Sequence, residues 1–75
     1  MTDRLTAFER TLLSELAGEG DRSPAGLAVA LETDLGTVLE TTAALQDRGL
    51  LARQGFDTCR VTDRGRALIE RSRPA

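Results

Sequence analysis

The side chains able to do chemistry in this sequence are few: ten arginines, twelve carboxylates, a single cysteine, and neither histidine nor lysine. Without histidine there is no side chain that shuttles protons near neutral pH, and the carboxylates form no convincing acid and base pair. No glycine-rich phosphate loop is present, and Ser23, directly before Pro24, reads as a helix cap before it reads as a nucleophile. An enzyme is therefore not expected, and no residue is assigned a catalytic role. Cys59 is alone, so no disulfide forms within the chain, and with no imidazole no zinc cluster assembles; neither metal nor cofactor is expected. What remains is charge. Residues 1–47 hold three arginines and nine carboxylates, whereas residues 48–75 hold seven arginines and three carboxylates. The net charge of -2 thus hides halves of -6 and +4, an asymmetry that hints at an electrostatic binding face.

These groups must be positioned by a small core, because 75 residues are expected to make one domain, residues 1–75, without room for a second. No run approaches the roughly 18 apolar residues of a membrane span. The opening MTDRLTAFERTLLSEL lacks the basic-then-apolar order of a secretory signal, so the expectation is a cytoplasmic protein with no membrane partner.

Leu5, Phe8, Leu12, Leu13 and Leu16 recur at helical spacing behind a Thr6 and Glu9 capping box, which predicts a first helix stopping near Gly18. Gly-Glu-Gly-Asp-Arg then reads as a flexible polar loop. Ser23-Pro24 starts a short second helix with Leu27, Ala28 and Leu31 on its apolar side. Asp34 caps a third, running to about Arg48, with Val38, Thr42 and Leu45 inward, Leu35 nearby, and Gly49 as its left-handed stop. Two helices joined by so few residues form a helix-turn-helix pair.

After Gly49 the period falls toward two. Residues 50–54 and 58–62 predict a β-hairpin around the turn Gly55-Phe56-Asp57, with Cys59 and Val61 inward and Thr58 and Arg60 toward water. Thr62 or Asp63 caps a last helix containing Ala67, Leu68 and Ile69 and fraying from Arg71 to Ala75. The fold class is α+β, mainly α: a three-helix core, a short hairpin and a C-terminal helix.

That order resembles the winged helix-turn-helix regulators, above all the MarR-like and PadR-like groups, over residues 27–68. Leu27-Ala28 is similar to the "LA" of their second helix, and Gly36-Thr37-Val38 to the "gTV" that heads their recognition helix. Leu45 with Asp47-Arg48-Gly49-Leu50-Leu51 is similar to the "L-x-x-(K/R)-G-L-(I/V)" that enters the first wing strand. Val61-Thr62-Asp63-Arg64-Gly65-Arg66 is similar to the "LT-x-x-G-x" that leaves the second. The resemblance implies sequence-specific binding of double-stranded DNA by a transcription regulator. It places the third helix in the major groove and the hairpin, or wing, on the backbone or adjacent minor groove. Carried onto this chain, the DNA-binding positions are Gly36, Thr37, Leu39, Glu40 and Ala43 on the helix and Arg53, Gln54, Gly55 and Arg60 in the wing. A homodimer on a pseudo-palindromic site is the expected assembly, paired through the first or last helix.

Base-reading helices usually present arginine, lysine, asparagine or glutamine. Here a carboxylate stands at Glu40, which is repelled by phosphate unless it meets a cytosine amino group. It either specifies cytosine or opposes DNA. Leu39 touches a thymine methyl or faces a protein. The alternative reading is accordingly a protein-protein interaction module on the same fold, in which the acidic early helices dock a partner and the wing is structural. Arg53 and Arg60, on adjacent strands, grip phosphates or simply face solvent; Arg64, Arg66, Arg71 and Arg73 read as surface charges. Cys59 reads first as a small buried side chain and second as a redox sensor.

Overall fold

The computed structural model describes residues 4–55 and 57–72. Four helices, α1 (Ala7–Glu19), α2 (Pro24–Ala30), α3 (Leu35–Asp47) and α4 (Asp63–Ser72), surround a hairpin of β1 (Leu51–Gln54) and β2 (Thr58–Val61) inserted between α3 and α4.

The first three helices each start at a short-range polar contact that satisfies an otherwise unpaired backbone donor. The Thr6 hydroxyl accepts from the Glu9 N–H at 3.1 Å while the Thr6 N–H donates to the Glu9 carboxylate at 2.9 Å, the reciprocal box the sequence predicts. Ser23 accepts from the Gly26 N–H at 3.0 Å, and Asp34 from the Thr37 N–H at 3.0 Å. Stops are less exact in sequence. The first helix runs through Gly18 to Glu19, and it is Gly20, at φ 97°, whose N–H closes on the Leu16 carbonyl. The turn between α2 and α3 passes through Glu32 at φ 55°, a left-handed position for a residue with a Cβ.

The core comprises Leu12, Leu13 and Leu16 of α1, Leu27 of α2, Val38 and Leu45 of α3, Leu50, Leu51, Cys59 and Val61 of the hairpin and its entry, and Leu68 and Ile69 of α4. Every predicted element thus contributes to one apolar cluster, and each fully buried leucine removes enough surface from water to be worth roughly 2 kcal/mol. Thr42, also buried, donates its hydroxyl proton to the Leu39 carbonyl at 3.1 Å, so it brings no unpaired polar group inside. Leu35 departs from expectation. It shares the i, i+3, i+7, i+10 stripe of Val38, Thr42 and Leu45, but as the first residue of α3 it lies at the end of that stripe and is 45% exposed.

The loop read as flexible is pinned to the hairpin at one residue. Arg22 exchanges two backbone hydrogen bonds with Cys59, at 3.1 and 2.7 Å, so β2 is flanked on both sides: β1 on one and a single-residue bridge on the other. The Arg22 guanidinium reaches Glu15 at 3.3 Å and Glu19 at 4.0 Å, tying this bridge back to α1.

Thr62 fixes the wing to its neighbours. Its N–H donates to the Leu50 carbonyl at 3.2 Å, its hydroxyl donates to the Gly49 carbonyl at 2.8 Å, and the same hydroxyl accepts from the Gly65 N–H at 3.0 Å. One side chain therefore joins the end of α3 to the start of α4. Gly65 permits the joint, since a Cβ there would press on the Leu50 carbonyl oxygen and lie 2.9 Å from Val61 Cγ2. The expected fraying begins at Arg71, but α4 continues to Ser72; Arg73, Pro74 and Ala75, like Phe56 in the turn, lie outside the described residues.

Candidate nucleic-acid interface

Helix α3 buries Val38, Thr42 and Leu45. At about 100° per residue, the positions opposite them are Gly36, Glu40, Ala43 and Asp47, a stripe at i, i+4, i+7 and i+11. Thr37 and Leu39 stand on its two flanks. All five helix positions named from sequence, Gly36, Thr37, Leu39, Glu40 and Ala43, are exposed, with Leu39 at 42%. The helix contains no basic residue. Arg48, at its C-cap, is turned away: it pairs with Glu9 at 3.3 Å and donates to the Arg4 carbonyl at 2.9 Å, clamping the end of α3 to the start of α1. The hydrogen bond from the Thr37 N–H holds the Asp34 carboxyl below its ordinary value of 3.8, so this N-cap stays ionised at the head of the helix.

In the wing, register decides what the arginines can do. Leu51 pairs with Val61, Ala52 with Arg60, Arg53 with Cys59 and Gln54 with Thr58. Directly opposed residues share a face, and faces alternate along each strand. Arg53 is therefore on the face that Leu51, Cys59 and Val61 turn to the core, emerging to solvent only because it sits near the open end. Gln54 and Arg60 occupy the other face. The two arginines that sequence places on adjacent strands thus point to opposite sides of the hairpin. Arg53 stays close enough to Cys59 that its charge favours the thiolate, but burial outweighs it and pushes the thiol above its ordinary 9.0. Fully buried and neutral, Cys59 is a core residue. Gly55, at φ 64°, forms the turn with the left-handed backbone that a three-residue hairpin connection uses.

The outer wing face continues onto α4. An open groove of about 520 Å³ is lined by Gln54 and Arg60 from the wing, Arg66 from α4, and the carboxylates Asp21 and Asp63. Arg66 is not distinguishable in sequence from the other arginines of α4. Its partnership with Arg60 follows from the Thr62 cap, which places it one turn into the helix beside the strand. Among the described residues no group of three or more histidine, cysteine, aspartate or glutamate side chains could hold a metal ion.

A helix pair joined by a tight turn, a third helix exposed along its outward stripe and a hairpin mounted beside it define a winged helix-turn-helix. No protein-family model matches the chain. In sequence it aligns at 30% identity over 76 residues with the phenylalanine–tRNA ligase alpha subunit of Methanopyrus kandleri, covering 99% of this chain and 14% of that subunit. In structure it superposes on the reduced form of MarR from E. coli with a TM-score of 0.88 and 26% identity, covering 93% of this chain and 52% of MarR. BpsR of Bordetella bronchiseptica, whose DNA binding is regulated by 6-hydroxynicotinic acid, gives 0.83 and 31% over 92% of this chain and 54% of BpsR. The transcriptional regulator PcaV of Streptomyces coelicolor gives 0.80 and 25% over 93% and 54%. The chain spans about half the length of these solved relatives and a smaller part of the ligase subunit. It is a MarR-like winged helix-turn-helix.

Proposed function

We propose that this chain binds double-stranded DNA sequence-specifically as a transcription regulator, with α3 in the major groove and the wing along the backbone. The observation that carries the reading is the exposed outward stripe of α3 beside an exposed hairpin, in a chain that superposes along nearly its whole length on known regulators. Glu40 accepts from a cytosine amino group, Leu39 and Ala43 meet thymine methyls, Thr37 bonds a base edge or phosphate, and Gly36 lets the helix approach closely. From the wing, Arg60 and Gln54 on the outer face reach phosphates, joined by Arg66; Arg53 and Gly55 act from the tip. The domain is 31 Å in its longest dimension, close to one turn of B-DNA, so a single copy covers about one half-site. Two copies, paired through α1 or α4, cover a pseudo-palindrome. The regulator works in the cytoplasm without cofactor or catalytic activity; none of the described helices is long and apolar enough to cross a membrane.

Electrophoretic binding to genomic fragments at two salt concentrations tests this. Retention of a few fragments, weakening steeply with salt, supports it. No retained fragment, or equal retention of all, opposes it. The alternative, a protein-interaction module, is favoured by one feature only: α3 presents Glu40 and Asp47 outward and no cation.

A further inference from the structure

Helix α3 is anchored in the core by Val38 and Leu45, with Thr42 between them, and all three are buried. They leave the helix within about 60° of one another, an arrangement that resists translation of the helix better than rotation about its own axis. Rotation decides what the outward stripe meets. With side-chain tips about 6 Å from the axis, a turn of about 15° carries Glu40 or Leu39 about 1.5 Å sideways. Hydrogen bonds to base edges need donor to acceptor distances of about 2.7–3.2 Å and are lost, whereas the attraction of an arginine for a phosphate falls off gradually.

The chain after α3 is tied to the wing and α4 through Leu50 and Thr62. Arg48, at the C-cap, ties it to another element. One guanidinium nitrogen donates to the Glu9 carboxylate at 3.3 Å and a second to the Arg4 carbonyl at 2.9 Å. The same Glu9 oxygen accepts the Thr6 N–H at 2.9 Å, so the clamp closes on the capped start of α1. The Arg48 and Glu9 side chains are 31% and 17% exposed, which shields the pair from salt.

We infer that Arg48 is the positioning residue of the recognition helix: by holding the end of α3 to α1 it fixes the rotation that aligns Glu40, Leu39 and Ala43 with base edges, and so sets sequence preference without touching DNA. The inference rests on the DNA-reading function proposed above. Lysine cannot take its place, because an ammonium is a point charge where the guanidinium fork reaches two acceptors at once.

Three variants are compared with the parent. Arg48→Lys keeps the charge and loses the fork; Glu9→Ala removes the other half of the clamp from a different helix; Thr6→Ala opens the capping box and leaves the clamp carboxylate in place. One readout is made without DNA, the amide shifts of residues 36–43, more than one turn from Arg48. The other is the ratio of affinities for the duplex selected by the parent and for a scrambled duplex. Arg48→Lys and Glu9→Ala are expected to move those amides and to lower the ratio about tenfold, with the two losses non-additive in the double variant. Affinity for the scrambled duplex stays within about twofold, with an unchanged salt slope. Thr6→Ala lowers the melting temperature yet leaves the ratio and the α3 amides unchanged, which separates positioning from general stability. A thermal melt of each variant confirms that it is folded at the assay temperature. An unchanged ratio in Arg48→Lys, an equal fall on both duplexes, or α3 amides that move as much in Thr6→Ala overturns the inference. A parent with no preference for any duplex overturns the proposed function; α3 amides that move in Arg48→Lys and Glu9→Ala alone still support the clamp as what orients the helix, and amides that stay put overturn it.

Discussion

Replacing Gly65 by alanine is expected to unhinge the wing, and the size of the effect follows from the geometry. The new Cβ presses on the Leu50 carbonyl oxygen, 2.9 Å from Val61 Cγ2 and 3.2 Å from the Leu50 carbonyl carbon. These are backbone and buried strand atoms, so relief requires α4 to move off the entry to β1. Overpacking of this kind costs about 1–3 kcal/mol. The Leu50 oxygen also accepts the Thr62 N–H, and disturbing that bond costs about 1 kcal/mol more. Against this, alanine is a better helix former than glycine by about 1 kcal/mol. The net loss is about 2 kcal/mol, which lowers the midpoint by about 10 °C in a domain of this size. Gly18→Ala makes the same chemical change inside α1, with no heavy atom within 4 Å of the new Cβ. It is expected to raise the midpoint by about 3–6 °C, through backbone entropy alone. Thermal unfolding followed by circular dichroism reads both. If Gly65→Ala melts within about 2 °C of the parent, or if the two variants shift in the same direction, the close approach between α4 and Leu50 is not the constraint described.

Three further outcomes are expected. Glu32→Gly relieves a left-handed backbone position and stabilises the chain by about 0.5–1 kcal/mol, read as a shift in urea midpoint at constant slope. Asp34 titrates below its ordinary 3.8 when folded, so its ionised form contributes stability that is present above the unfolded value and lost as pH falls through the folded one. Asparagine at this position keeps a cap but not the charge; the melting advantage of the parent over Asp34→Asn, present at pH values well above the carboxylate range, is expected to vanish as pH drops below 3.8. Cys59, buried with its thiol pKa raised, is expected to react with a thiol reagent only at the rate of unfolding, and rapid labelling of the folded chain would contradict its place in the core.

The parts of this fold legible in sequence are those encoded within four residues. Thr6 with Glu9, Ser23 with Pro24, Asp34, and Gly49 each announce a helix boundary through groups that meet locally, and all four occur where expected. The inward positions of the hairpin are legible too, because Cys59 and Val61 alternate with Thr58 and Arg60. What sequence conceals is non-local. Nothing in Gly-Glu-Gly-Asp-Arg distinguishes a loop from a bridge, since Arg22 acquires its strand geometry only by pairing with Cys59, far along the chain. Arg48 reads as one more basic residue near the wing until its contacts with Glu9 and the Arg4 carbonyl commit it to joining α3 and α1. The split of Arg53 from Arg60 depends on strand register, where a shift of one residue exchanges the faces. The grouping of Arg60 with Arg66 needs the Thr62 joint, and with it the third dimension.

A sequence-specific reader requires α3 and the wing to act together on duplex DNA. Selection of bound duplexes from a randomised pool by the immobilised chain measures that most directly. Enrichment of a shared motif, weakened overall by Arg60→Ala and relaxed at a cytosine position by Glu40→Ala, is the expected result. A pool that emerges without a common motif, or binding that strengthens on every sequence when Glu40 is removed, would contradict it.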